Sequence, residues 1–406
     1  MKRLVVALLL VATAACGGGN GTSSGEDLRI QVAGRASEIK VYQELVAAFS
    51  AKHPKARIAL VPVAEQGEHV AKLSSAFAAG NPPDVFLLNY RRFGQFAARD
   101  VIEPTPLPDP SAYYEPSLEA FTIGGTLLCL PQNVSSSVVY VNPALFARAG
   151  VALPGPRWTW ADLKAAAVAF AAKGIQAIGY DTGMRTVVPF VWGAGGEVSD
   201  SLDAPTKITL GSPQAKEALR YLVDLQQQGL DATERAAEPA EDRFSRGELA
   251  MFVDSRRAVP GLRKSSGLDF DVRPLPVNRQ PVSLLASDAY CVSKGSKRAE
   301  LAHEFALFAT GPEGGAILAK AGRTVPSLKS LAESPAFLDP ARPPKSSKVF
   351  IDVIPTLRRL PNVAAWNEAE ELASDVLDQL FAGRIGLDAA VAKIEQDTAA
   401  VFAQAR

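Results

Sequence analysis

The first part of the chain alternates short apolar runs with amphipathic segments. Apolar residues occupy every second position over residues 28–32, which predicts a half-buried strand, and residues 57–63 predict a second one. Residues 39–51 and 70–79 space their apolar side chains as one face of a helix requires. Residues 85–88 form a continuous apolar run, typical of a central parallel strand covered on both faces. This order of strands and helices predicts a doubly wound α/β unit.

The pattern changes over residues 126–146. Two extended runs are separated by a Pro-Gln-Asn break (131–133) and a patch of serines. Asn142 and Pro143 then end the second run and open a helix, because proline cannot donate to a strand but fits the first helical turn. An interrupted extended segment of this kind is expected where a strand leaves one lobe and enters another.

The rest of the chain supplies the return path and more helices. Residues 283–293 form a second extended run, which we interpret as the return crossing. Thr159 and Asp162 have the spacing of a helix cap, and residues 366–381 and 387–402 carry helical periodicity. Because a chain of 406 residues rarely folds around one core, two lobes are expected.

Composition narrows the range of functions. Apolar residues make up 47% of the chain, which is ample for a soluble globular core. The formal net charge is +0, so the chain has no overall field that would attract nucleic acid or an anionic membrane surface.

The N-terminal segment carries a targeting pattern. Residues 1–15 hold two basic residues, an apolar run too short to span a bilayer, and small residues. Followed by Cys16, they resemble a bacterial lipoprotein signal, which implies cleavage before Cys16 and its lipidation. Residues 16–27 predict a flexible tether, and no later segment predicts a membrane span. An ordinary signal peptide with an incidental cysteine is the alternative.

Several short motifs occur in the order found in one family. They are AGNPPDV (79–85), LP (130–131), YVN (140–142), WTWADL (158–163) and FSRGELAM (244–251). In order and spacing they resemble the extracellular solute-binding proteins of ABC importers, of the sugar-binding, maltose-binding-protein-like type. Leu128 and Cys129 depart from the aromatic-glycine pair usual in that family.

The resemblance implies an α/β, two-lobed periplasmic-binding-protein fold with doubly wound sheets and crossing strands at a hinge. Residues 28–133 and 288–340 would form lobe 1, and residues 134–287 and 341–406 would form lobe 2. Hinge closure around a ligand would present both lobes to the importer's membrane subunits. The protein would be an extracytoplasmic monomer, lipid-anchored to the bacterial membrane.

The sequence offers little catalytic chemistry. None of the three histidines has the spacing of a metal-ligand pair, and nucleophile-elbow, phosphate-loop and dinucleotide motifs are absent from the sequence. We therefore expect no catalysis, no cofactor and no metal. Glu368, Glu370 and Glu371 fit a solvated helix face, although a glycoside-acting enzyme with two facing carboxylates is the alternative.

Ligands of two-lobed α/β proteins bind at the carboxyl ends of strands, so polar and aromatic residues that follow predicted strands are candidates. The resemblance adds a loop formed by Trp192, Gly195 and Gly196, called the Trp-Gly-Gly loop below. The chain departs from the family at Arg256, where sugar-binding relatives often carry a tryptophan that stacks on the ligand. The candidate ligand-binding residues are Arg35, Gln66, Asn89, Tyr90, Asn133, Ser135, Ser136, Trp192, Gly196, Glu197, Asp254, Arg256, Ser287, Asp288, Tyr290, Arg323 and Trp366.

Two ligand classes are compatible with these candidates. The sugar-type resemblance implies a neutral mono- to oligosaccharide, for which Tyr90, Trp192, Tyr290 and Trp366 would supply the aromatic rings. Arg256 and Arg323 could instead clamp an anionic ligand such as a glycerophosphodiester or a uronic acid. A sensor would use the same cleft, and the sequence does not separate sensing from transport.

Cys129 and Cys291 have apolar neighbours, which favours two buried thiols. Because both lie on the strands assigned to the two crossings, and export permits oxidation, a disulfide is the alternative.

Overall fold

The computed structural model describes residues 27–227 and 238–405. Cys16, the predicted signal peptide and nearly all of the predicted tether lie outside the described residues. The strands are β1 (Asp27–Ala33), β2 (Arg57–Val63), β3 (Val85–Asn89), β4 (Ile102–Glu103), β5 (Thr122–Ile123), β6 (Thr126–Leu127), β7 (Cys129–Pro131), β8 (Asn133–Val134), β9 (Val138–Val141), β10 (Gln176–Gly179), β11 (Leu249–Asp254), β12 (Asp271–Arg273), β13 (Ser283–Leu284), β14 (Asp288–Ser293), β15 (Val325–Pro326) and β16 (Leu357–Arg358).

Helices cover the faces of the sheets, and the fold is α/β, as the sequence predicted. The α-helices are α1 (Ala36–Lys52), α2 (Gln66–Ala78), α3 (Tyr90–Ala97), α4 (Glu115–Glu119), α5 (Pro143–Ala149), α6 (Trp160–Ala171), α7 (Met184–Gly193), α8 (Pro213–Gln227), α9 (Ala240–Ser245), α10 (Val259–Leu262), α11 (Ala299–Thr310), α12 (Pro312–Lys320), α13 (Lys329–Ala332), α14 (Pro335–Leu338), α15 (Val349–Asp352), α16 (Trp366–Phe381) and α17 (Leu387–Gln404). Single turns of 3₁₀ helix lie at Pro110–Ala112, Arg256–Ala258 and Ile354–Thr356.

The first sheet has the strand order β2-β1-β3-β14-β4, with β7 also paired to β14. β1 runs parallel to β2 and β3, whereas β14 runs antiparallel to β3, β4 and β7. The apolar part of β3 is buried on both faces, as its continuous hydrophobic run predicted. The register pairs Asn89 with Asp288, so these two polar residues lie side by side at the end of the sheet.

The second sheet has the strand order β10-β11-β9-β12. The chain leaves the first sheet after β7 and enters the second at β9, and it returns through β13 to β14. A third segment, which contains β15 and β16, also runs alongside the crossing strands, because β15 pairs with β8 and β16 pairs with β13. The predicted lobe boundaries fall in these crossing segments and stay a prediction.

Three apolar clusters form the interior. α1 and α11 pack on one face of the first sheet, and α6, α7, α8, α16 and α17 surround the second sheet. The third cluster is continuous from Phe86 of the first sheet to Tyr140 of the second, so the two sheets share buried apolar surface. Within the described residues, no helix is long and apolar enough to cross a lipid bilayer.

Cys129 and Cys291 form a disulfide, which is the less favoured of the two alternatives from sequence. The two residues lie opposite each other on β7 and β14, and both are fully buried. Both strands belong to the first sheet, so the bond joins neighbouring strands of that sheet, one just before the outgoing crossing and the other just after the return, rather than the crossing segments themselves.

The disulfide predicts that Cys129 and Cys291 stay unreactive in denatured, unreduced protein and become reactive after reduction, as measured by thiol titration. Replacing both cysteines by alanine should lower the free energy of unfolding by about 2–5 kcal/mol, because the cross-link restricts the unfolded chain. Urea unfolding under oxidising conditions measures this loss. Two reactive thiols at these positions before reduction would contradict the assignment.

Candidate functional site

A cavity of about 590 Å³ lies where the ends of the two sheets face each other. Its walls come from the carboxyl ends of β1 and β3, the loops that follow β10 and β11, the crossing segments and the first turns of α16. This is the position at which open α/β sheets bind ligands. Its charged lining residues are Arg91, Arg92, Arg185, Arg257, Arg323, Asp181, Asp288, Glu370, Glu371 and Asp375.

Asp288 is held by two side-chain amides at the centre of this cleft. Its Oδ1 accepts a hydrogen bond from Asn89 Nδ2 at 2.9 Å, and its Oδ2 accepts one from Asn133 Nδ2 at 3.0 Å. The Asp288 backbone N–H donates to Asn133 Oδ1 at 3.2 Å. The carboxylate is therefore fixed by neutral donors, and its negative charge has no cationic hydrogen-bond partner among the described residues.

Beneath the cleft lies a layer of mostly buried polar side chains. Tyr290 donates its hydroxyl to Gln132 Oε1 at 2.7 Å, and Gln132 in turn reaches the Tyr42 hydroxyl at 3.5 Å. His69 Nε2 lies 2.7 Å from the Leu87 carbonyl oxygen, so this nitrogen carries the proton. Burial lowers the pKa of His69, which keeps the imidazole neutral beneath the cleft.

α3 and α16 meet across the cleft through charged and amide groups. Arg91 pairs with Glu370, whose side chain is only 4% exposed and also accepts a hydrogen bond from Trp366 Nε1 at 3.2 Å. Asn367 Nδ2 donates to the Arg91 carbonyl oxygen at 2.7 Å. This buried contact joins a helix of the first sheet to a helix of the second.

The wall after β11 is built around Arg257. Its Nε and one terminal nitrogen donate to the two oxygens of Asp254 at 3.0 and 2.6 Å, and its other terminal nitrogen lies 3.5 Å from Glu241 Oε2. Burial raises the pKa of both Asp254 and Glu241, and Arg257 opposes that rise. Arg185 is exposed in the same cleft. Desolvation by the surrounding protein is the main cause of its lowered pKa, and the positive charge of Arg91 lowers it further.

Arg323 lies at the edge of the cleft, where it pairs with Glu38. Desolvation by the surrounding protein, together with the smaller effect of the Arg35 charge, lowers the pKa of Arg323 to about 10. Arg323 therefore stays charged at neutral pH. Arg35 itself is exposed, and its backbone N–H donates to Glu38 Oε2 at 2.9 Å.

The structure brings part of the predicted set together in the cavity lining: Gln66, Asn89, Asn133, Ser135, Asp288 and Arg323. A second group is buried beneath the cleft or inside the cores, where no side chain reaches the cavity surface: Tyr90, Ser136, Ser287, Tyr290 and Trp366. Asp254 lies just behind the surface as the partner of Arg257. The expected aromatic platform is therefore absent from the described lining, in which Tyr42 is the aromatic residue.

The predicted Trp-Gly-Gly loop lies outside the cleft. Trp192 is 2% exposed and borders a separate pocket of about 550 Å³ together with Glu197. The Arg358 guanidinium covers the Trp192 ring at 4.5 Å and donates to Glu197 Oε2 at 2.7 Å. A Cβ on Gly196 would lie 3.0 Å from a Val191 methyl group, so this glycine serves close packing.

Arg256, also a predicted ligand-binding residue, lies outside the cleft lining because its side chain points into the interior. It is 0% exposed and donates to the carbonyl oxygens of Gly322 and Phe337 at 3.0 and 3.1 Å. Its guanidinium lies 4.0 Å from the centre of the Phe337 ring and 3.3 Å from Ser347 Oγ. Arg256 thus ties the 322–347 segment to the second sheet and is not available to a ligand in this structure.

Sequence reasoning missed most of the charged lining. Arg91 directly follows the predicted Asn89 and Tyr90 at the end of β3, so its position was an available signal. Glu370 was assigned to a solvated face, yet it is 3% exposed because Arg91 and Trp366 cover it. Among the described residues, no group of three or more His, Cys, Asp or Glu side chains is arranged to hold a metal ion.

Comparisons with known proteins agree with this architecture. A family model described as bacterial extracellular solute-binding protein matches residues 44–344. The chain is 22% identical to the galactooligosaccharide-binding protein of Bacillus subtilis over 404 residues, covering 94% of this chain and 92% of the relative. It is 26% identical over 188 residues to an sn-glycerol-3-phosphate-binding periplasmic protein of Brucella abortus, covering 44% and 43% of the two chains. An ABC substrate-binding protein of Listeria monocytogenes, solved in complex with cycloalternan, superposes with a TM-score of 0.83 at 22% identity, covering 93% and 99% of the two chains.

The placement of Arg256 predicts a structural role. Arg256→Lys should lower the free energy of unfolding by about 2–4 kcal/mol, because lysine cannot supply the fork of donors that these carbonyl groups accept. Arg220→Lys, at an exposed position, is the matched control. Urea unfolding and ligand binding are measured on both variants. Weaker binding by Arg256→Lys without loss of stability would return this residue to the ligand site.

Proposed function

This chain belongs to the family of bacterial extracellular solute-binding proteins, and we propose that it is the substrate-binding lipoprotein of an ABC importer. It captures a carbohydrate in the cleft between the two sheets and delivers it to the membrane subunits. The observation that carries this function is the cleft itself, with the Asn89–Asp288–Asn133 cluster at its centre.

The chemistry of the cleft suits a ligand rich in hydroxyl groups. A hydroxyl both donates and accepts hydrogen bonds, and the lining offers carboxylates as acceptors beside guanidinium and amide groups as donors. The relatives named for galactooligosaccharide and cycloalternan support carbohydrate as the ligand class. Recognition depends on polar contacts more than on ring stacking, because Tyr90, Tyr290 and Trp366 are buried in the cores.

The ion pairs that the cleft arginines form with carboxylates argue against an anionic ligand. Arg91, Arg92 and Arg323 pair with Glu370, Glu371 and Glu38. Arg257 pairs with Asp254, and Arg256 lies in the core. Arg185 is the lining arginine for which the described residues show no carboxylate within ion-pair distance. A phosphate or carboxylate ligand would therefore compete with existing carboxylates at most of these positions.

Delivery requires that the ligand be held and released unchanged. Family members are binding proteins, and closure of the lobes about the crossing segments would enclose the ligand. The same cleft would serve a sensor. Transport is distinguished from sensing by measuring ligand uptake in cells that lack the protein. We further propose a monomer without catalytic activity.

An extracytoplasmic location follows from the family, and we propose lipid anchoring at Cys16. The residues before Cys16 have the pattern of a lipoprotein signal, and a tether of the predicted length would let the folded lobes reach the importer.

Binding is tested first by a thermal-shift screen against mono- and oligosaccharides. A bound sugar should raise the unfolding midpoint, by a stabilisation of about 2.7 kcal/mol at a hundredfold excess over its dissociation constant. Asp288→Asn should weaken binding of that sugar by about tenfold or more, because one of the two accepting oxygens becomes an NH2 group, which cannot accept from Asn89 or Asn133. Glu197→Gln, in the separate pocket, should leave the affinity unchanged.

Calorimetric titration of both variants measures these affinities. No stabilisation by any carbohydrate would contradict the proposed function. Loss of binding in Glu197→Gln with Asp288→Asn unaffected would move the site to the pocket beside Trp192.

Lipid anchoring predicts that Cys16→Ser releases the protein from the membrane, because serine does not accept the thioether-linked lipid. Membrane fractionation and metabolic labelling with a fatty-acid analogue measure the change in the native host. Ser23→Ala, in the tether, should stay in the membrane fraction. Equal membrane association of Cys16→Ser and the unaltered protein would contradict the anchor.

A further inference from the structure

Three carboxylates of the cleft form no ion pair with a cationic group of the described residues. Asp288 is held by the neutral amides of Asn89 and Asn133. Asp181 and Asp375 are exposed in the cleft lining, and within residues 27–227 and 238–405 neither carboxylate has an ion pair or a side-chain hydrogen bond. In the part of the chain that the structure describes, Arg185 is the lining arginine without an ion pair, and it is the cation left to balance these three negative charges.

Asp181 and Asp375 lie on two elements that touch. The loop after β10 contacts α16 through Thr182, whose hydroxyl donates to Asp378, and through Met184, whose backbone N–H donates to Ser374 Oγ at 3.2 Å. Asp181 and Asp375 are each next in sequence to one of these contact residues, so the contacts bring both carboxylates to the same wall.

The neighbouring wall carries further negative charge. Asp254 and Glu241 share the single guanidinium of Arg257. Burial is the main cause of the raised pKa of Asp254, and the negative charge of Asp181 adds to that rise. The charge of Asp181 also acts on Arg257. This part of the cleft therefore holds more carboxylates than guanidinium groups.

Closure of the cleft would make this imbalance costly. An unpaired carboxylate loses hydration when water is expelled, and a hydroxyl group replaces the lost hydrogen bonds but not the counter-charge. A ligand ammonium group would supply both, since it donates three charge-assisted hydrogen bonds and is compact enough to lie between two carboxylates.

We propose that the Asp181–Asp375 wall binds a protonated amino group, so that the ligand is an amino sugar. This inference rests on the proposed function and specifies its ligand class. Arg185 would then contact ring or hydroxyl oxygens, and Asp288 with its two asparagines would bind hydroxyl groups.

Matched sugars that differ at one group test the inference. We would titrate the protein calorimetrically with D-glucosamine, N-acetyl-D-glucosamine and D-glucose, with the corresponding galactose and mannose series, and with β-1,4-linked disaccharides of glucosamine and of glucose. The titrations run at about pH 6.5, below the pKa expected for an amine. D-glucuronate is the anionic member of the panel.

We expect an amino sugar to bind at least about tenfold more tightly than its acetylated and hydroxyl twins. Added salt should weaken the amino sugar more than the neutral twins, because screening acts on the ammonium–carboxylate attraction. Asp181→Asn and Asp375→Asn should each reduce the preference. Asp203→Asn, which removes an exposed carboxylate outside the cleft lining, should retain it.

The outcomes separate the inference from the proposed function. Equal or tighter binding of a neutral sugar or of glucuronate would overturn the amino-sugar inference and leave carbohydrate capture intact. A preference for the amine that survives both Asp181→Asn and Asp375→Asn would also overturn it. If no sugar in the panel binds, the proposed function fails and the inference fails with it.

Discussion

Hydrogen bonding between the outgoing and returning crossing segments is the constraint on which this structure depends. The backbone groups of Ser135 and Ala286 exchange hydrogen bonds of 2.7 and 2.9 Å, and the Gln132 N–H donates to the Asp288 carbonyl oxygen at 2.8 Å. These bonds fix the register in which two separate parts of the chain leave the first sheet. Because Asn133 and Asp288 belong to the same segments, the register that joins the sheets also assembles the centre of the cleft.

Charge pairing gives the cleft its chemical character. Many of its arginines already have carboxylate partners, some from the opposite sheet, as Arg91 has in Glu370. Such pairs contribute to the shape and rigidity of the walls, and removing one partner would leave a poorly hydrated charge. The groups left for a ligand are mainly carboxylates and amides, which is why we propose a ligand that offers hydroxyl and amino groups rather than acidic ones.

Local sequence patterns predicted the elements well. The continuous apolar run at 85–88 became the central strand β3, and Asn142 with Pro143 begins α5, with Asn142 Oδ1 accepting from two backbone N–H groups. These predictions succeeded because hydrophobic period and capping depend on residues close in sequence. The family resemblance supplied the two-lobed fold, and the family model and the solved structures confirm that part.

The sequence alone determined the main strands and helices, the crossing segments and the edge of the sheet at which we propose that a ligand binds. Only the tertiary structure decided which side chains face that edge. Trp192 and Arg256 have residue types that suit ligand binding, but Arg358 covers one and the 322–347 segment encloses the other. Glu370 has the setting of a surface residue, yet α3 folds over it. The physical reason is that exposure of a side chain depends on segments distant in sequence, whose packing no local periodicity encodes.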